Sequence, residues 1–190
     1  DIFGMIQNQT ERLSHLSEVL LDMTGIQSVE RSDFISLAEL TDEVCCDLAS
    51  IADQKKVELI QEEGDCTVTG SYLLLYRAVY NLVENAIKYN HSGGKVTVKI
   101  SQKKDLPAAH SKPADYALVE VTDTGIGISP EFQEKIFAPF FRVDKSRSRA
   151  MGGAGLGLAL VAEIARQHGG QVKVLASSEK GSTIALVLPI

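Results

Sequence analysis

Asn81, Asn85 and Lys88 stand at four- and three-residue spacing in the segment N-L-V-E-N-A-I-K-Y, 81–89. On a helix that spacing gathers the three side chains on one face. Neutral amide oxygens suit a Mg²⁺ ion that keeps most of its ligands as phosphate oxygens and water, and Lys88 adds a cation beside them. Asparagine is a poor helix former, so two of them inside one helix call for a reason. Three further segments offer complementary chemistry. In D-T-G-I-G-I, 123–128, a carboxylate at the end of an apolar strand can accept a hydrogen bond from an exocyclic amine, and the glycines let the backbone approach a flat ring. F-A-P-F-F-R, 137–142, leads into a stretch in which residues 142–149 carry four basic side chains against one acidic. G-G-A-G-L-G, 152–157, runs straight into a helical pattern, where free N–H groups make an anion site suited to phosphates. Each alone also reads as ordinary structure: two solvated amides, a plain turn, a solvated charge run, a flexible connector. Together and in this order they describe a nucleoside triphosphate site.

Other common sites are missing from the sequence. There is no G-x-x-x-x-G-K-[ST] phosphate loop and no G-x-G-x-x-G fingerprint, since 153–157 has the wrong spacing. No G-x-S-x-G elbow, H-E-x-x-H or C-x-x-C occurs, and His15, His91, His110 and His168 are too scattered for a metal cluster. The formal net charge of -6 argues against a surface built to grip nucleic acid. Its distribution is more telling: residues 1–66 hold 4 basic and 15 acidic side chains, whereas 67–190 hold 15 basic and 10 acidic. Cys45, Cys46 and Cys66 are odd in number and two are adjacent, which disfavours a disulfide framework and fits a reduced intracellular compartment. The uncharged stretch 151–162, with four glycines, is too short to span a bilayer. The chain starts at Asp1 and carries no signal peptide, as expected of a piece of something longer.

The elements that must position these segments follow from periodicity. Ile6, Leu13, Leu16, Leu20 and Met23 trace an apolar seam on a first helix, ended by Gly25 and the polar stretch 27–33. A second helix is expected over 37–55, opened by the Ser36/Glu39 capping box, with Leu37, Leu40, Val44, Leu48 and Ile51 on its inner face and Cys45 and Cys46 on or beside it as core filler. Short strands at 57–60 and 67–69 precede a third helix from an Ser71 cap through Tyr89. Strands follow at 95–101 and 116–121, separated by the loop 102–114 with a solvated His110. Ser129-Pro130 should open a short helix to Phe137, a loop spans 138–154, and a helix runs from about Gly155 to His168. A closing hairpin pairs 171–177 with 182–188. That order predicts an α/β layer fold, with helices on one face of a mixed or mostly antiparallel sheet.

On these segments the chain resembles the catalytic and ATP-binding domain of sensor histidine kinases, within the superfamily shared with gyrase, heat-shock chaperone and mismatch-repair ATPases. N-L-V-E-N-A-I-K-Y is similar to the family's N box, D-T-G-I-G-I to its G1 box, F-A-P-F-F-R-V-D to its F box and G-G-A-G-L-G-L-A-L to its G2 box; H-G-G at 168–170 and G-S-T at 181–183 match its closing pattern. The resemblance covers residues 31–190 and implies a Bergerat-type two-layer α/β sandwich preceded by an N-terminal helix. It implies that Asn85 ligates Mg²⁺ with Asn81 beside it on the triphosphate, that Lys88 contacts a phosphate and that Tyr89 lies against the adenine. Asp123 would accept from the adenine amino group, with Gly125, Gly127 and Ile128 shaping the base pocket. Arg142 would reach the γ-phosphate; Gly153, Gly155 and Gly157 would line the lid and phosphate side, Leu156 would pack on the nucleotide, and Thr183 would sit near the adenine edge. Lys88 and Arg142 are thus the catalytic pair the resemblance suggests, with ATP and Mg²⁺ as cofactors.

Residues 1–27 are similar to the second helix of the family's dimerisation and phosphotransfer hairpin. The phospho-accepting histidine is not among them, because His15 is followed by Leu16-Ser17 rather than an acidic residue and a proline. The partners implied are a histidine hairpin domain, a response regulator and a second copy in a homodimer, with no nucleic acid; the location implied is cytoplasmic, as part of a membrane-anchored full-length protein. Two other readings stand beside the kinase: an ATP-driven clamp like the gyrase and chaperone relatives, for which Glu84 is the candidate carboxylate, and a non-catalytic regulatory module that keeps the fold.

Overall fold

The computed structural model describes residues 29–104, 115–143 and 155–190; the expected N-terminal helix, His110, Gly152 and Gly153 lie outside them. Among the described residues, seven strands and three α-helices run in the order β1 (Asp33–Ser36), α1 (Leu37–Lys55), β2 (Glu58–Gln61), β3 (Thr67–Gly70), α2 (Tyr72–Lys88), β4 (Lys95–Lys103), β5 (Tyr116–Asp123), α3 (Gly157–Gln167), β6 (Gln171–Ser178) and β7 (Gly181–Pro189). Five strands form one sheet in the order β2-β4-β5-β7-β6, parallel only between β2 and β4. The expected mixed, mostly antiparallel sheet is therefore present. Strand alternation decides where the core sits. Val96, Val98 and Ile100 of β4, Ala117, Val119 and Val121 of β5, and Leu186 and Leu188 of β7 join the buried faces of all three helices in one cluster. The intervening residues Leu118, Ala185 and Val187 form a separate small cluster with Tyr116 on the opposite face.

Helix boundaries follow the local chemistry. Ser36 Oγ accepts from Glu39 N at 3.2 Å and donates to Asp65 at 3.1 Å, so the start of α1 is capped twice. Asp65 also accepts from the backbone of Ala38, and that bond leads the effects holding its carboxyl below the ordinary range. α1 fastens to α2 through phenols: Tyr72 donates to Glu43, and Tyr76 donates to Asp47. The bond to Glu43 pushes Tyr72 up to about 12, so the hydroxyl stays a donor through the neutral range. On α2 the stripe of Leu74, Leu75, Ala78, Val79, Leu82, Val83, Ala86 and Ile87 is buried. Each large side chain so buried contributes about 1.5–3 kcal/mol relative to an exposed one.

Several expectations are corrected. β1 replaces the tail of the expected polar terminator; it pairs only with β3, in a two-stranded ribbon that leaves Phe34 86% exposed, so no strong alternation marked it. Ile51 is exposed and Ala52 takes its place inside, because the helix turns on from Leu48 by four residues rather than three. Cys46 is exposed, while Cys45 is half-buried against the core, where burial raises its thiol to about 11 and keeps it unreactive. The segment after Ser129 forms two 3₁₀ turns, Pro130–Phe132 and Lys135–Phe137, not one helix, and Ser129 makes no side-chain cap. α3 starts two residues later than expected, since Gly155 has φ +73 and cannot continue a right-handed helix. Among the described residues no helix is long and apolar enough to cross a membrane.

His168, at the end of α3, ties that helix to the start of α2. Its Nε2 accepts from Ser71 N at 3.0 Å and its Nδ1 lies 2.8 Å from Ile164 O. Both contacts are satisfied only by the neutral ring with the proton on Nδ1. Burial is the main cause of its lowered pKa, aided by Arg31 and opposed by the bond to Ile164. A base with a depressed folded pKa stabilises the fold fully above its unfolded value and loses that contribution as pH falls from there toward the folded value. The thermal midpoint is therefore expected to drop by about 2–4 °C as pH falls below about 6.5, and H168Q should flatten that part of the profile. Identical pH profiles for the two proteins by differential scanning calorimetry would refute this account.

Candidate functional site

The start of α3 meets the polar strip of α2. A Cβ on Gly157 would lie 2.7 Å from Asn81 Oδ1 and 3.7 Å from Asn85 Nδ2, so glycine is what permits this approach. Asn81 is held by its own helix, donating from Nδ2 to Arg77 O at 2.8 Å, which leaves its oxygen facing α3. α3 has no side-chain cap at Leu156, and its first N–H groups have no partner within the helix. Leu156 itself is buried at 1% exposure in the core cluster. Two amides and an uncapped helix start thus share one small space with a positive end.

Cations complete that side. Burial is the chief cause of a lowered Lys88 pKa, with Arg142 and Lys55 adding to it and Glu84 opposing. The ammonium of Lys88 stands 5.7 Å from the ring centroid of Tyr89. Arg142 lies against Gly155, whose Cβ would be 3.1 Å from its Cγ, and its Nη2 is buried without a hydrogen-bond partner among the described residues. A buried, unpaired guanidinium nitrogen is costly unless an anion completes it. No cluster of His, Cys, Asp and Glu suited to a metal occurs among the described residues. A cation would thus take amide oxygen and the oxygens of a bound anion, and Asn85 fits that donor set.

On the other side, Asp123 ends β5 with both oxygens engaged. Oδ1 accepts from Gly125 N and Oδ2 from Ser182 Oγ, each at 2.7 Å. Register explains the second bond, for Asp123 pairs with Ser182 across β5 and β7. The turn that follows folds back on the closing hairpin: Gly127 has φ +68, a Cβ there would be 1.8 Å from Ser178 O, and Ile128 N donates to Ser177 Oγ at 2.7 Å. Ile126 N donates to Tyr89 O at 3.3 Å, joining this turn to the end of α2.

The structure therefore brings together Asn81, Asn85, Lys88, Tyr89, Arg142, Gly155 and Gly157, with Asp123, Gly125, Gly127 and Ile128 adjoining through the end of α2. It does not bring Thr183 to Asp123. Alternation along β7 turns Thr183 to the opposite sheet face, where its hydroxyl meets Thr122 at 3.0 Å. Ser182, 7% exposed, holds the carboxylate instead. Sequence reasoning missed Ser182 by one residue, although Asp123 and Ser182 share the core-facing phase of their strands. It also missed Asn90 and Thr124, which bond each other at 3.2 Å between the two halves of the site.

Comparison with known proteins bears on this geometry. Residues 70–190 match the family described as histidine kinase-, DNA gyrase B-, and HSP90-like ATPase. The sensor histidine kinase RppB of Synechocystis is 33% identical over 97% of this chain and 40% of its own length. WalK of Bacillus subtilis, also a sensor histidine kinase, is 31% identical over 96% of this chain and 29% of its own. Among solved structures, the mycobacterial sensor histidine kinase MprB superposes with a TM-score of 0.65 at 29% identity, over 83% of this chain and 97% of that one. ShkA in complex with AMPPNP gives a TM-score of 0.77 at 22% identity over 98% of this chain and 37% of that one, and shows the fold alone. The chain spans less than half the length of these curated relatives.

One substitution separates the site from the fold. Alanine suits a helix start better than glycine, by up to about 1 kcal/mol. Yet the added Cβ of G157A meets the Asn81 amide, which must swing away. G157A is expected to keep or raise the thermal midpoint while weakening ATP binding by about tenfold, the loss of about one good polar contact. Calorimetric titration beside thermal melts checks this, and unchanged affinity would contradict the shared space.

Proposed function

The chain belongs to the histidine kinase-, DNA gyrase B- and HSP90-like ATPase family, and from that premise we propose that it is the ATP-binding catalytic part of a sensor histidine kinase, transferring the γ-phosphoryl of Mg·ATP to a histidine on a helix hairpin. The observation that carries the proposal is the convergence of the Asn81/Asn85 amides, the uncapped start of α3 and the unpaired Arg142 Nη2. That is a cradle for several negative oxygens at once.

In this reading Asn85 Oδ1 holds Mg²⁺ and Asn81 lies on the triphosphate. Asn85 would hold that ion, which would supply positive charge against the charge that develops during transfer. Lys88 contacts a phosphate and Arg142 reaches the γ-phosphate; together they position it and offset its charge. Asp123 accepts from the adenine amino group, with Gly125, Gly127 and Ile128 shaping the base pocket, Tyr89 on the ring, and Gly155, Gly157 and Leu156 on the phosphate side. Gly153 belongs to the same glycine run. The imidazole nitrogen forms its bond to phosphorus as the bond to the bridging oxygen breaks; the ring proton leaves and ADP departs. Relay to a response-regulator aspartate follows. Residues 31–190 form the catalytic domain, residues 1–27 contribute a helix to the dimerisation hairpin, and the whole protein is a homodimer with its kinase portion in the cytoplasm, anchored at a membrane.

Depressed by burial and by Arg142, Lys88 is poised to gain from an incoming polyanion, which restores a partner to its charge. N85A is expected to abolish Mg-dependent ATP binding in calorimetry; unchanged affinity would sink the site assignment. With a separate hairpin domain supplied, acid-labile phosphate should appear on its histidine. Steady ATP hydrolysis without such phosphate would favour a clamp in which Glu84 activates water.

A further inference from the structure

Two stretches far apart in sequence must hold a constant separation if one nucleotide is to touch both. The end of α2 carries Lys88 and Tyr89, and the turn after β5 carries Asp123 and Gly125. Their backbones are in direct contact, since a Cβ on Gly125 would lie 2.4 Å from Tyr89 O and 3.1 Å from Asn90 Cα. Between them sit two side chains with no part in the site as described. Asn90, the first residue beyond the Tyr89 cap, accepts on Oδ1 from His91 N at 3.0 Å and from Thr124 Oγ1 at 3.2 Å. Its Nδ2 donates to Lys95 O at 3.0 Å, at the start of β4. Thr124 closes the ring: its Oγ1 accepts from Lys95 N at 2.9 Å, and its own N–H donates to Lys95 O at 3.1 Å. Gly94 leaves room for this arrangement, because a Cβ there would fall 2.1 Å from Asn90 Oδ1.

We propose that Asn90 and Thr124 are positioning residues for the nucleotide site, an amide–hydroxyl staple that fixes the phosphate-side helix end against the base-side carboxylate turn. The inference rests on the ATP-site reading above. Neither side chain has a nucleotide-contacting role in that reading. The asparagine meets a donor on the Asp123 turn and an acceptor at the start of β4, and the threonine hydroxyl reaches both Asn90 and the start of β4. Without the staple, the contact of Ile126 N with Tyr89 O is the remaining hydrogen bond between the two halves among the described residues, and at 3.3 Å it is long.

Thr124 offers a clean test because valine removes only the hydroxyl and serine restores it. Affinity for Mg·ATP is measured by calorimetry well below the melting range, and the midpoint is recorded separately without nucleotide. T124V and N90A are each expected to bind about five- to tenfold more weakly, the size of one lost polar contact. T124S should stay within about twofold of the parent, and the double variant N90A/T124V should be no weaker than the worse single, since one contact is shared. A role in folding alone would lower the midpoints of T124V and N90A and leave their affinities at the parent value, which overturns the proposal. Additive losses in the double variant also overturn it. N85A serves as the control: binding lost in N85A but normal in T124V and N90A rejects the staple alone, whereas normal binding in N85A rejects the site reading beneath it.

Discussion

The polar strip of α2 exists because the rest of that helix has to be buried. Eight of its seventeen residues are inside, and at 100° per residue that stripe confines the polar residues to the remaining arc. Asn81 and Asn85 occupy the part of the arc that meets the start of α3, while Tyr72 and Tyr76 occupy the part that meets α1. Rotating α2 to move any one of these contacts would expose apolar surface worth several kcal/mol. The geometry of the site is therefore set by core packing, and the polar residues gain their precision from apolar neighbours. His168 extends the same dependence: it binds the start of α2 to the end of α3, so the two helices that frame the anion side are fixed at opposite ends.

Where periodicity is strong, it made this arrangement readable in advance. α1 and α2 appear at the boundaries their caps predict, because Ser36 and Ser71 both accept from the N–H three residues on. The mixed sheet and the final hairpin follow from alternation and short turns. Legibility fails where a single residue decides. Thr183 and Ser182 are chemically similar neighbours, and only the pairing of Asp123 with Ser182 says which hydroxyl meets the carboxylate. β1 was invisible because a two-stranded ribbon with an exposed Phe34 needs no alternating pattern. The 3₁₀ turns after Ser129 misled for another reason. The Ser-Pro pair is a helix-opening signal, yet nothing apolar in 130–137 is buried deeply enough to propagate a longer helix.

The candidate site itself was legible as chemistry before it was legible as geometry. Four segments suggested metal ligands, a base reader, a basic loop and a phosphate cradle, and three of the four depend on backbone. Free N–H groups, a close approach at Gly157 and a left-handed Gly127 are conformations, and a sequence can show only that glycine permits them. Connections between segments are harder still. Asn90 and Thr124 are ordinary turn residues in composition, and their contact joins positions 34 apart.

The choice of amides at Asn81 and Asn85 also follows from charge. Asparagine costs about 0.5 kcal/mol relative to alanine inside a helix, so both positions are held against local preference. A carboxylate at either place would stand beside Lys88 and Arg142, pair with them and fill the role of the anion. The structure instead leaves positive charge uncompensated: Lys88 has its charged form disfavoured by burial, and Arg142 keeps a buried Nη2 without an acceptor among the described residues. Neutral amides can bind a metal without neutralising the cations in advance. A polyanion that arrives then meets unspent positive charge, and part of its binding energy comes from relieving a cost already present in the folded protein.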